Sequence, residues 1–172
     1  MPKNLFVTSK YLSDDPGYPC NIVEDKHKNN CYFLQTSRML QILGNDFAKV
    51  AAECQKAPVA YQSACFGSMG RDVGGQSRPN AQKSIELCAS APKGEMRNQC
   101  LLGAAQDYFW DTSGASPAIN FCKTLTDSQE KNPCYDTIIG RATQVLSEKD
   151  QRSSFCQEVE ESWQDQCQKT LL

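Results

Sequence analysis

The chain has one histidine, His27, no C-x-x-C pair, no Asn-x-Ser/Thr sequon and no apolar run longer than a few residues. Each absence removes a class of function. Apolar runs this short fall far below the roughly 20 residues that a membrane-spanning helix needs, so no membrane span is expected. Lys and Arg number 18 against 20 Asp and Glu, for a net charge of −2. Phosphate recognition needs clustered cations, so nucleic acid is not an expected partner. No phosphate loop, dinucleotide fingerprint or EF-hand loop occurs, and the sequence implies no cofactor. Residues 1–19 hold no apolar stretch of the kind a secretory signal carries, so either a signal has been removed or the chain reaches its compartment by another route. The missing sequon mildly favours a bacterial periplasm or the mitochondrial intermembrane space over eukaryotic secretion.

What is abundant is cysteine, and it is regularly placed. Cys20, Cys54, Cys88, Cys122 and Cys156 are spaced 34 residues apart, and Cys31, Cys65, Cys100, Cys134 and Cys167 follow at steps of 34, 35, 34 and 33. Two cysteines recurring five times make a tandem repeat that sets its thiols at two fixed structural points. An even count in register belongs to an oxidising compartment. Zinc sites bring ligands in close pairs with histidine, so disulfides are favoured over metal or free structural thiols.

Two pairing schemes respect the repeat. Short pairing joins Cys20–Cys31, Cys54–Cys65, Cys88–Cys100, Cys122–Cys134 and Cys156–Cys167. Long pairing joins Cys31–Cys54 and its equivalents, and strands Cys20 and Cys167. Short pairing uses all ten and is preferred. Closing a loop of this size is worth about 2.8 kcal/mol in the chain-entropy account.

A period of 34 is that of a helix–turn–helix repeat. One, four, five and eight residues after each second cysteine stand sets such as Tyr32, Phe66, Leu101, Tyr135 and Met39, Val73, Tyr108, Ala142. Those offsets share one helical face. This predicts a helix A after each second cysteine, and a helix B that ends at the next first cysteine. Gly44-Asn45-Asp46, Gly74-Gly75, Ser113-Gly114 and Ser147 read as stops or caps between them. Ser116-Pro117 reads as a cap with Pro at the first helical position, Ser147 with Asp150 as a capping box, and Pro133 as requiring its helix to start near Asn132. Gly67, Gly70, Gly103 and Gly140 read as points of close helix packing. The expectation is an all-α solenoid of about nine helices, with 1–19 an irregular lead-in and 20–172 one helical-repeat domain.

Regular cysteine pairs on helical hairpins, with Cys31-Tyr32 and Cys134-Tyr135 opening helix A, resemble the cysteine-rich Sel1-like family of bacterial envelopes. The resemblance covers residues 20–167. It extends to tetratricopeptide repeats in period, although their Trp-Leu-Gly-Tyr pattern is absent, as are the Sel1-like Gly-rich turn and Tyr-Tyr signature. In the Sel1-like family the paired cysteines also lie closer together. The resemblance implies a right-handed superhelix that binds proteins or peptides in the envelope.

Chemistry finds few candidates. His27 sits among charges in EDKHKNN and has no visible orienting partner. Ser90–Lys93 and Ser128–Lys131 match S-x-x-K without its companion motifs. Asp14-Asp15 and Glu158, Glu160, Glu161 read as solvated carboxylates. The candidate partner-binding residues are Tyr108, Phe109 and Trp110, because one amphipathic face cannot bury three successive aromatics. Arg38, Asp72, Asp107 and Arg141, seven residues after the cysteines, read as a solvated charged edge. The functional expectation is a non-enzymatic interaction or scaffold module, periplasmic or secreted, with a protein or peptide partner. The alternatives are a structural subunit of an envelope or intermembrane-space assembly, an envelope hydrolase or β-lactam-binding protein, and a redox or metal-carrying role.

Alkylating the protein with and without reduction, then mapping linked peptides, tests the pairing. The expected result is no free thiol and five short-range links; a Cys31–Cys54 peptide would sink the short scheme.

Overall fold

A computed structural model describes residues 13–172. Of the lead-in expected over 1–19, residues 1–12 lie outside the described residues, 13–15 are irregular and 16–19 lie in turns. Among the described residues there are ten α-helices and no strand. They are α1 Asp25–Tyr32, α2 Thr36–Ile42, α3 Phe47–Lys56, α4 Val59–Ser77, α5 Ala81–Cys88, α6 Glu95–Tyr108, α7 Ala115–Thr124, α8 Ser128–Val145, α9 Lys149–Glu158 and α10 Glu161–Leu171.

All ten cysteines are bonded, as Cys20–Cys31, Cys54–Cys65, Cys88–Cys100, Cys122–Cys134 and Cys156–Cys167, at sequence separations of 11 or 12. The last four join the C-terminal part of α3, α5, α7 or α9 to a point inside the next helix. Helices α4, α6, α8 and α10 contact one another in succession, with α1 and α2 against α4, while α5, α7 and α9 contact one another on the other side.

The apolar face is the one the offsets define. Every residue one, four, five and eight positions after Cys31, Cys65, Cys100 and Cys134 is buried, from Tyr32, Gln35, Thr36 and Met39 to Tyr135, Ile138, Ile139 and Ala142. In the last unit Gln168 is exposed. Aromatic stacking repeats between units: Tyr32 on Tyr61 at 5.8 Å and Tyr135 on Trp163 at 5.1 Å. Such pairs contribute beyond the area they bury.

Several boundaries differ from the sequence expectation. Helices α4, α6, α8 and α10 begin five or six residues before their cysteines, because a first turn exposed to water needs no apolar periodicity. Pro133 therefore lies inside α8. It has no N–H to donate to the Gln129 carbonyl; instead the Asn98 side-chain amide of α6 donates to that oxygen at 3.1 Å.

Gly74-Gly75 does not stop α4, which runs to Ser77 and ends at Arg78-Pro79, where the proline disfavours a helical residue before it. Ser116 and Pro117 lie within the first turn of α7. The capping pair of α9 is Glu148 with Gln151, whose side chain accepts from the Glu148 N–H at 3.4 Å, rather than Ser147 with Asp150. Gly44-Asn45-Asp46 does divide α2 from α3. Gly44 and Asn45 take φ of 71° and 64°, and Asp46 Oδ1 accepts from the Ala48 and Lys49 N–H groups at 3.0 and 3.2 Å. Ten helices replace nine because the first expected helix A breaks at Phe33–Gln35. There the buried Gln35 amide turns away to donate to the carbonyls of Pro16 at 2.9 Å and Tyr18 at 2.5 Å.

The glycines divide by role. A Cβ on Gly70 would overlap the Cys100 carbonyl, one on Gly103 the Gly67 carbonyl, and one on Gly74 would come 2.8 Å from the Asp107 Cβ. Backbone meets backbone here between α4 and α6. A Cβ on Gly140, by contrast, meets nothing within 4 Å, so close packing does not explain that glycine.

Opposite signs follow for one substitution. Gly70→Ala forces the two helices apart and is expected to cost about 1–3 kcal/mol, as overpacking does. Gly140→Ala is expected to stabilise by about 0.5–1 kcal/mol, the helix penalty of glycine. Urea unfolding of both variants checks this, and effects of equal sign would sink the assignment.

Candidate binding groove

The three candidate aromatics separate. Tyr108 and Phe109 are fully buried and belong to the core. Tyr108 lies 5.1 Å from Phe121, and its hydroxyl is 3.0 Å from Ser84 Oγ; Phe109 stacks on Phe155 at 5.4 Å. The chain leaves its helical conformation at Phe109, so the next residue turns outward: Trp110 is 69% exposed. Of the trio, only Trp110 offers a surface.

Trp110 lines a cavity of about 500 Å³, together with Phe33, Arg71, Asp107, Gly140 and Arg141. A second hollow of about 450 Å³ shares Arg71 and Asp107 with the first. A third of about 420 Å³ shares Ser37, Asp72 and Gln76 with the second. The three make one continuous groove across α8, α6, α4 and α2. Volumes in this range match those of ligand sites.

The break between α1 and α2 feeds this groove. It turns Phe33 and Leu34 outward, to 40% and 69% exposure. The Arg71 guanidinium lies 3.7 Å from the Phe33 ring centroid and donates to the Phe33 carbonyl, so one side chain both covers the ring and satisfies an oxygen freed by the break. Arg141 works similarly at the end of α6, its Nε donating to the Phe109 carbonyl at 3.2 Å and Nη1 to Gln144 Oε1 at 2.9 Å.

Of the expected solvated edge, Asp72, Asp107 and Arg141 line the groove, while Arg38 donates to Ser13 O at 3.2 Å. Asp72 accepts from Thr36 and Ser37, both at 2.6 Å, which ties α2 to α4. Asp107 lies 3.6 Å from Arg78 Nη1. Burial raises the Asp107 carboxyl above its ordinary range, against the opposing pull of Arg78, and burial lowers the Arg71 guanidinium.

The other candidates do not converge. His27 is exposed on α1. Ser90 and Lys93 lie between α5 and α6. Ser128 opens α8, and Lys131 is 3.2 Å from Glu160 in an ion pair between α8 and the start of α10. Glu158 accepts from Ser116 at 2.8 Å. Sequence reasoning missed Phe33, Leu34, Arg71 and Gly140 as groove residues. Their one sequence signal is that Arg71 and Gly140 share the polar position six after the cysteine.

No family model, curated protein or solved structure matches the chain. Among the described residues, no helix is long and apolar enough to cross a membrane.

Asp107 carries a pH signature. Its carboxyl is raised in the fold, so its contribution to stability is complete below the unfolded value near pH 4 and is lost as pH rises through the folded one. Asp107→Asn is expected to lose that dependence. Its stability relative to the parent should climb as pH rises above about 4. Urea midpoints across that range check it, and a gap that stays constant with pH would overturn it.

Proposed function

We propose that the chain is a non-enzymatic protein-interaction module of an oxidising compartment, periplasmic or extracellular. Its five cysteine-paired units stack as a solenoid with a 34-residue repeat, and the groove across α2, α4, α6 and α8 receives a segment of another protein. The observation that carries this reading is Trp110. A large aromatic held 69% exposed, at the edge of a continuous groove that also carries Phe33 and Leu34, is costly unless something covers it. Trp and Arg are the side chains that most often dominate binding energy, and the cavity offers one Trp and two Arg.

Two further features support a binding module. The disulfides tie α4, α6 and α8 to the helices before them, so groove residues on three of its four helices are held before a partner arrives, which lowers the ordering cost of association. Five formed disulfides also fit an environment where such bonds persist.

A photo-crosslinking residue placed at Trp110, with Lys83 on the exposed side of α5 as control, tests the reading in the envelope or secreted fraction of the source cells. The expected result is a discrete heterologous adduct from position 110 and none from position 83. Equal adducts from both positions, or none, would overturn it. Adducts only to a second copy of the chain would replace it with a structural subunit.

A further inference from the structure

Gly140 lies inside α8, is exposed, and leaves open space where a side chain would begin. It lines the main cavity beside Arg141 and within reach of the same hollow as Trp110. A Cβ there meets nothing within 4 Å, so a larger side chain would take up space that now belongs to the groove. This open notch has room for a group brought from outside, and the exposed Trp110 ring is a large apolar surface lining the same cavity.

The charges around the notch say what accompanies that group. The cavity holds Arg71 and Arg141 against Asp107 and Asp136, with Asp72 in the adjoining hollow. Asp107 has Arg78 beside it, Asp136 accepts from Gln166 Nε2 at 2.7 Å, and Asp72 accepts from two hydroxyls. Among the described residues, neither Arg71 nor Arg141 has a carboxylate within 4.0 Å. Their observed hydrogen bonds go to neutral oxygens, the carbonyls of Phe33 and Phe109 and the Gln144 amide. Arg71 uses one of its five donors and Arg141 two; the rest have no partner among the described residues, and a carboxylate is an acceptor that suits all of them but the buried Arg71 Nε–H. Asp72, Asp107 and Asp136 along the same groove repel a continuous polyanion, so the fit is to single carboxylates spaced to meet Arg71 and Arg141 and to avoid the aspartates.

We propose that the groove takes a short acidic segment of another polypeptide, with one bulky apolar side chain over Gly140 against Trp110 and carboxylates on Arg71 and Arg141. This inference rests on the interaction-module reading and adds the chemistry of the partner.

The test is selection of a displayed random-peptide library on the oxidised full-length protein. Selected peptides are then synthesised and their Kd measured on the parent and on Gly140→Leu, Lys83→Gln, Arg71→Gln and Arg141→Gln. The expected peptides carry Asp or Glu close to Trp, Phe or Leu. Affinity should fall about tenfold or more on Gly140→Leu, Arg71→Gln and Arg141→Gln, and also in high salt. Lys83→Gln, on the exposed side of α5 and outside the groove, should bind as the parent does, and melting curves should show every variant folded.

Selected peptides without acidic residues, or peptides that bind Gly140→Leu as tightly as the parent, overturn the proposal. So does self-association of the parent that Gly140→Leu abolishes, which would assign the groove to a second copy. If no peptide is selected while position 110 still gives a discrete adduct, the acidic-segment inference falls and the interaction module stands. If both experiments are blank, both fall.

Discussion

Contact between the backbones of α4 and α6 is the constraint on which the rest of the structure depends. The two helices meet where Gly70 faces the Cys100 carbonyl and Gly103 faces that of Gly67. No side chain cushions these points, so their separation is set by main-chain atoms and has little latitude. The Cys88–Cys100 disulfide then fixes the α5 end to the α6 residue that makes the contact. The position of α6 decides where Asp107 and Trp110 stand, and therefore the middle of the groove.

The groove is a product of interruptions rather than of regular helix. The stop after Phe109 exposes Trp110, the break before Thr36 exposes Phe33 and Leu34, and Arg71 and Arg141 reach across to carbonyls at those two interruptions. Each arginine is thereby held in one orientation by neutral partners, with no carboxylate within 4.0 Å among the described residues. Side chains anchored this way present donors at fixed positions, which favours specificity over adaptability.

Much of the fold was legible in the sequence because it follows from local rules. The cysteine spacing marked the unit, and the apolar offsets identified a face that is buried at every position in the first four units. Misplaced boundaries trace to tertiary effects. Gly74-Gly75 reads locally as a helix stop, yet Gly74 lies where α4 runs against α6 and only a small residue fits. Pro133 reads as a helix start, yet a side chain from another helix supplies the missing hydrogen bond. The split of the first helix A depends on Gln35 meeting carbonyls 17 and 19 residues earlier, which no periodicity reveals. The groove was less legible still. Its residues come from four helices, and the positions six and seven after each cysteine look like ordinary polar surface when each helix is considered alone. The run Tyr108-Phe109-Trp110 did announce that an aromatic would be exposed, but which one depended on where α6 ends.

The Asn98 contact to the Gln129 carbonyl also bears on how such a chain can change over time. Units of one length with common cysteine positions invite the idea that they could be duplicated, deleted or shuffled freely. Pro133 in the fourth unit is tolerated because Asn98 in the third stands beside it, and Arg97 of the third pairs with Glu130 of the fourth at 2.7 Å. The junction is inherited as a pair: a copy of the fourth unit behind the second, where Ser63 stands at the Asn98 position, would lose that amide donor. The order of the units is thus written into their seams, and the chain is closer to a sentence than to a string of beads.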